Sequence, residues 1–147
     1  MSQRIDFKVV GKPATAGSKR AFAHRHTGRI VVVDDCKGGK PWRKLVQAQA
    51  NSKCSCMLVG PLRLEVTFVM PRPLSHRKRD GSLAQGAPAT HTVKPDATKM
   101  LRAIEDALTG ICWIDDAQIV VQHVVKRYAE PNESPGALIS IALLGAP

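Results

Sequence analysis

Aromatic side chains are scarce: one Tyr, three Phe and two Trp in 147 residues. That supply is too thin for a platform of stacked bases, so a single-strand binder that works by stacking is disfavoured. Long apolar runs are missing as well. None approaches the roughly 20 residues that a bilayer crossing needs, and Met1-Ser2-Gln3-Arg4-Ile5-Asp6 lacks the apolar stretch of a signal peptide. The expectation is a soluble cytoplasmic protein with no membrane partner. The four cysteines, Cys36, Cys54, Cys56 and Cys112, do not fall at the usual zinc spacings, and no secretory context calls for a disulfide framework. Reduced, mostly buried thiols are the reading. Internal repeats and coiled-coil heptads are absent. Acidic residues are few, 12 against 22 Lys and Arg.

That imbalance is the first positive signal. A net charge of +10 and a pI near 9.9 surround a small body with a field that draws in polyanions. Nucleic acid met through phosphate contacts and shape is the expected partner. A length of 147 residues with 44% hydrophobic content fits one domain, 1–147, around one core.

Patterning predicts an α+β fold, two helices packed on a mixed or mainly antiparallel sheet. Alternation marks strands at Ile5–Val9 and Leu62–Met70, and the β-branched run Arg29–Val33 marks another. Gly11–Arg20 reads as a turn-rich loop carrying three cations. Helical spacing of Trp42, Leu45, Val46 and Ala50 predicts a helix from Pro41 to about Cys56. Ala97, Met100, Leu101, Ile104 and Leu108 predict a second, from Pro95 to about Thr109. Two last strands, about Ala117–Tyr128 and Ala137–Leu144, are expected to pair as a hairpin. Residues 71–93 read as a long, flexible basic loop around His76-Arg77-Lys78-Arg79, either a solvated segment or a DNA-clamping flap.

The scarce acids cluster. Asp96 stands at the mouth of the second helix; Asp115 and Asp116 stand where the following strand begins. Elements adjacent in sequence are usually adjacent in space, so both ends are expected to face one pocket. Carboxylates gathered on a positive surface repel one another unless a divalent cation joins them. Taken singly, Asp96 is equally a helix N-cap and Asp115-Asp116 an ordinary turn. His91 is a further candidate for the pocket; His24 and His26 lie in a basic loop within reach of phosphate. No Ser-His-Asp or Cys-His arrangement has a supporting context.

The ordered stretch Lys94-Pro95-Asp96, Lys99, Leu101-Arg102-Ala103, Asp106-Ala107-Leu108-Thr109-Gly110 and Trp113-Ile114-Asp115-Asp116-Ala117-Gln118-Ile119-Val120, trailing to Lys126, resembles the RusA family of Holliday-junction resolvases. The family pattern is an acidic D-x-D start, an amide or Lys, a Lys or Arg, D-A-L-T/N, and then D-D-x-Q-V. Gly11, Pro13, Gly17-Ser18-Lys19-Arg20 and Pro41-Trp42-Arg43 are similar to phage-type relatives. The resemblance implies a homodimer that cuts a four-way DNA junction with Mg²⁺ or Mn²⁺. Asp96 and Asp116 carry over as catalytic metal ligands, Asp115 as an auxiliary ligand or orienting group, and Arg102 as the catalytic cation. Lys19, Arg20, Arg77, Lys78, Arg79, Lys94, Lys99, Arg102 and Lys126 are the residues expected on DNA.

One departure matters. The second acid of the D-x-D element is Thr98, a neutral ligand in place of a charged one. A non-catalytic junction or duplex binder is therefore the competing expectation, and a general RNA-binding protein a third.

Overall fold

The computed structural model describes residues 3–17, 19–34 and 38–145. The described elements are β1 (Arg4–Val10), β2 (Lys19–Ala23), β3 (Ile30–Asp34), α1 (Gly39–Lys53), β4 (Leu62–Met70), α2 (Ala97–Leu108), β5 (Ile119–Tyr128) and β6 (Gly136–Leu143). Short 3₁₀ turns lie at Leu74–His76 and Asp116–Gln118. A four-stranded sheet runs β1-β6-β4-β5, and β2 with β3 forms a separate two-stranded ribbon.

The expected α+β architecture holds, with one correction to its wiring. β5 and β6 do not form a hairpin. β5 pairs parallel with β4, while β6 inserts between β4 and β1, antiparallel to both. Parallel pairing requires a crossover, and α2 is the helix within it. β5 is left at an edge of the sheet, a position invisible to alternation because both arrangements need the same pattern. A second correction concerns residues 19–23: the end of the supposed loop is β2, antiparallel to β3.

One face of the sheet is apolar because alternate residues point to it. Phe7 and Val9, Leu62, Leu64, Val66 and Phe68, and Ala137, Ile139 and Ile141 are buried there. Against them lie Trp42, Val46 and Ala50 of α1 and Met100, Leu101, Ile104, Ala107 and Leu108 of α2. Gly136 permits the β1–β6 contact: a Cβ there would stand 1.9 Å from the Val9 carbonyl oxygen.

Cys54 and Cys112 form a disulfide, with Cα atoms 5.7 Å apart. This corrects the expectation of reduced thiols for that pair; Cys56 is free and exposed, and Cys36 lies outside the described residues. Residues 58 apart carry no spacing signal for such a bond. It ties the end of α1 to the turn after α2.

The 71–93 segment has anchors despite its lack of long elements. Arg72 is buried and donates from Nε to the Ala129 carbonyl (2.9 Å) and from Nη1 to the Pro88 carbonyl (2.7 Å). His76 and His91 both pack edge-on against Tyr128. A tight turn closed by Lys78 N–H to Ser82 O (2.8 Å) displays Arg77, Lys78 and Arg79 to solvent.

Candidate acidic site and its basic surround

Asp116 is the best-prepared carboxylate. Its Oδ1 accepts from the Trp113 indole Nε1 at 2.8 Å and lies 2.5 Å from the Thr109 hydroxyl. Trp113 is wholly buried, so packing fixes the ring and aims its donor. The Thr109 hydroxyl also reaches the Glu105 carbonyl at 2.8 Å, and its single proton serves one acceptor at a time. No described residue donates to Asp116 Oδ2. Asp116 is thus oriented by one oxygen and open by the other.

Asp115 and Gln118 build the turn that presents it. Asp115 Oδ1 accepts from the Ala117 N–H at 2.8 Å, and Gln118 completes a capping box. Gln118 Oε1 accepts from the Ile114 and Asp115 N–H groups, and its Nε2 donates to the Leu58 and Gly60 carbonyls. Asp115 therefore spends one oxygen on the turn. Gln118 pins the turn to the segment before β4.

Glu105, on α2, faces the same place. Its carboxylate accepts from the Gln122 amide of β5. Burial, followed by the charges of Asp116 and Asp106, pushes its pKa above the ordinary carboxylate value. Glu105 and Gln122 were missed in the sequence because they join a helix to a strand across the crossover, with no local pattern. Thr109 and Trp113, by contrast, sit inside the D-A-L-T to W-x-D-D stretch.

Asp96 is elsewhere. It occupies the N-cap position of α2 without a side-chain cap bond, so capping does not account for it. Its side chain is 63% exposed, with the Lys99 ammonium 3.9 Å away. Asp116 contacts Thr109, at the other end of the helix. Twelve residues at roughly 1.5 Å each separate these ends by about 18 Å. The expectation that both aspartates face one pocket within a chain is therefore corrected: α2 holds them apart. Among the described residues no group of three His, Cys, Asp or Glu side chains is placed to hold a metal ion. A single chain offers Mg²⁺ two incomplete donor sets.

Around these acids the surface is basic. Arg102, Lys94 and Lys99 are exposed on or beside α2; Arg102 makes no ion pair with Asp106 among the described residues. Lys126 differs. Its Nζ donates to the Val93 and Pro95 carbonyls, 2.7 Å each, so two of its three donors hold the chain leading into Asp96. His91 is buried, and burial together with the charge of Lys126 lowers its pKa. The side chains of Lys19 and Arg20 lie outside the described residues.

The fold and this surface define a small, basic α+β domain whose acids lie at both ends of one helix beside an edge strand. The chain belongs to the RusA endodeoxyribonuclease family: the family model for Endodeoxyribonuclease RusA matches residues 11–142. The members of that family are hydrolases that cut DNA, and the family acts on branched junctions. It is also similar to Uncharacterized protein YqaN of Bacillus subtilis (strain 168), at 28% identity over 130 residues, covering 86% of this chain and 89% of that one.

Proposed function

We propose that the protein is a metal-dependent, structure-selective endonuclease that resolves four-way DNA junctions as a homodimer. The observation that carries the reading is Asp116: an aspartate aimed by a buried indole, open on one oxygen, beside Glu105 on a strongly basic chain. Mg²⁺ or Mn²⁺ bound at Asp116 and Asp96, with Asp115 behind them, would supply an activated water and stabilise charge on the phosphate. The protein's own part is to hold these carboxylates and to bring phosphate to them through Arg102, Lys94 and Lys99.

The separation of Asp96 from Asp116 gives the dimer its purpose. β5 is an edge strand; residues 89–91 bridge the far end of its outer side at 126–128, while Val120, Val121 and Val125 are exposed along the part before that. The Asp116 turn precedes the start of β5, and Lys126, near its end, grips the approach to Asp96. Hence α2 and β5 run in opposite directions. Antiparallel pairing of two β5 strands about a two-fold axis would bring Asp96 of one subunit toward Asp116 of the other, forming two equivalent sites for two equivalent strands.

Subunit mixing tests this. Asp96→Asn and Asp116→Asn homodimers should each fail to nick a synthetic four-way junction in Mg²⁺ or Mn²⁺. Their mixture should regain nicking on one strand, because a heterodimer holds one intact shared site. No recovery from the mixture would count against sites shared between subunits, and tight binding by the wild type without nicking in either metal would count against the nuclease. Thr98, neutral where the family pattern has an acid, favours the second reading of a non-catalytic junction or duplex binder. That reading predicts salt-sensitive binding which Asp96→Asn leaves intact or strengthens.

A further inference from the structure

The β2–β3 ribbon has no role in the acidic site, and its construction asks for a partner. Every described side chain from Ala21 to Val32 except Val31 is exposed, so both faces of the ribbon are open. Phe22 is 50% exposed, Val32 58% and Ile30 76%. In the antiparallel register Ala21 faces Val32 and Ala23 faces Ile30 on one side, while Phe22 faces Val31 on the other. The tip is closed by backbone bonds, His24 N–H to Arg29 O (2.8 Å) and Gly28 N–H to His24 O (2.9 Å), with Gly28 at φ 64°. Arg25, His26 and Arg29 project from it into solvent. Residues 19–34 contain four cations, Lys19, Arg20, Arg25 and Arg29, and one acid, Asp34, which lies at the base of the ribbon in register with Lys19.

A solvated hairpin needs no bare isoleucine, valine and phenylalanine along its shaft, and exposed β-branched edges invite unwanted pairing. Four cations against the single acid at its base give the ribbon its charge complementarity to DNA. A two-stranded ribbon has the width of the DNA major groove. Arginines at its tip suit phosphate, and apolar shaft residues suit sugars and thymine methyls inside the groove.

We infer that the β2–β3 ribbon is a DNA arm that enters the major groove of a duplex arm flanking the branch, with Arg25 and Arg29 on phosphates and Ile30 and Val32 against the groove wall. This rests on the reading of branched DNA as substrate, but not on catalysis.

The test is junction binding in EDTA, measured across a salt series, in the full chain. The double variant Arg25→Gln, Arg29→Gln should weaken binding about tenfold and lower the salt slope by about two, one per lost phosphate contact. Arg25→Lys, Arg29→Lys should restore the slope. Ile30→Thr, Val32→Thr keeps the strand-forming shape; it should weaken binding with the slope unchanged. Melting temperature and oligomeric state check that each variant folds and assembles as the wild type does. Unchanged affinity and slope in the glutamine variant would overturn the arm. A shift from dimer to monomer in the threonine variant would also overturn it, assigning the ribbon to an interface between copies. Nicking tests the other reading separately: a wild type that never nicks, with arm variants that bind weakly, leaves the arm standing.

Discussion

Trp113 shows how one buried side chain serves an exposed one. Its ring is wholly enclosed, and its N–H is the fixed donor to Asp116 Oδ1. Trp113→Phe keeps most of the bulk and removes the donor. We expect nicking to fall ten- to hundredfold, the usual scale for losing the group that orients a metal ligand, with junction binding in EDTA unchanged. Glu133 offers a stability test of the same kind. Its carboxylate accepts from Nη1 and Nη2 of Arg127 at 2.6 and 2.8 Å and also from the Glu130 N–H at 2.9 Å. Chiefly for the first of these reasons its pKa drops to about 2. A depressed carboxylate stabilises the fold above its ordinary value of 4.5 and loses that contribution as the pH falls from there toward 2. Glu133→Gln should destabilise the protein by about 2 kcal/mol at neutral pH. The gap to wild type should close across that acidic window in denaturant titrations at successive pH values.

At the scale of elements, β5 is the decisive piece. If two copies pair antiparallel about its midpoint near His123, Val121 of one meets Val125 of the other. Replacing both with Glu sets like charges opposite each other across the seam. The double variant should elute as a monomer on size exclusion and lose nicking, while keeping its helical circular-dichroism signal. The strand itself was legible in the sequence, as were Leu62–Met70 with its observed ends and the apolar stripe of α2. Its neighbours were not. Alternation states which face is buried, and the same residues satisfy a hairpin with β6 or a parallel ladder with β4. β2 escaped for another reason: its residues border a turn-rich stretch, and its strand character comes from β3 opposite. The Asp116 end of the site was readable because Thr109, Trp113, Asp116 and Gln118 lie close in sequence. That Asp96 stands at the far end of α2 follows from helix length, which the proximity of neighbouring elements had masked.

For the whole molecule, charge and shape divide the labour. The net charge of +10 acts over the full surface, while the candidate site acids, Asp96 and Asp116, stand at opposite ends of α2. The field concentrates DNA on the protein whether or not a metal is present, so binding and cutting should respond differently to conditions. The twelve residues of α2, which part Asp96 from the Asp116 turn, carry this further: if the two aspartates are halves of one blade, as proposed, a lone polypeptide cannot close them on one another. Diluted below its assembly threshold, the protein should lose nicking with the square of its concentration, while junction capture declines more gently. On the proposed reading, such a nuclease would stay harmless until it met its own twin.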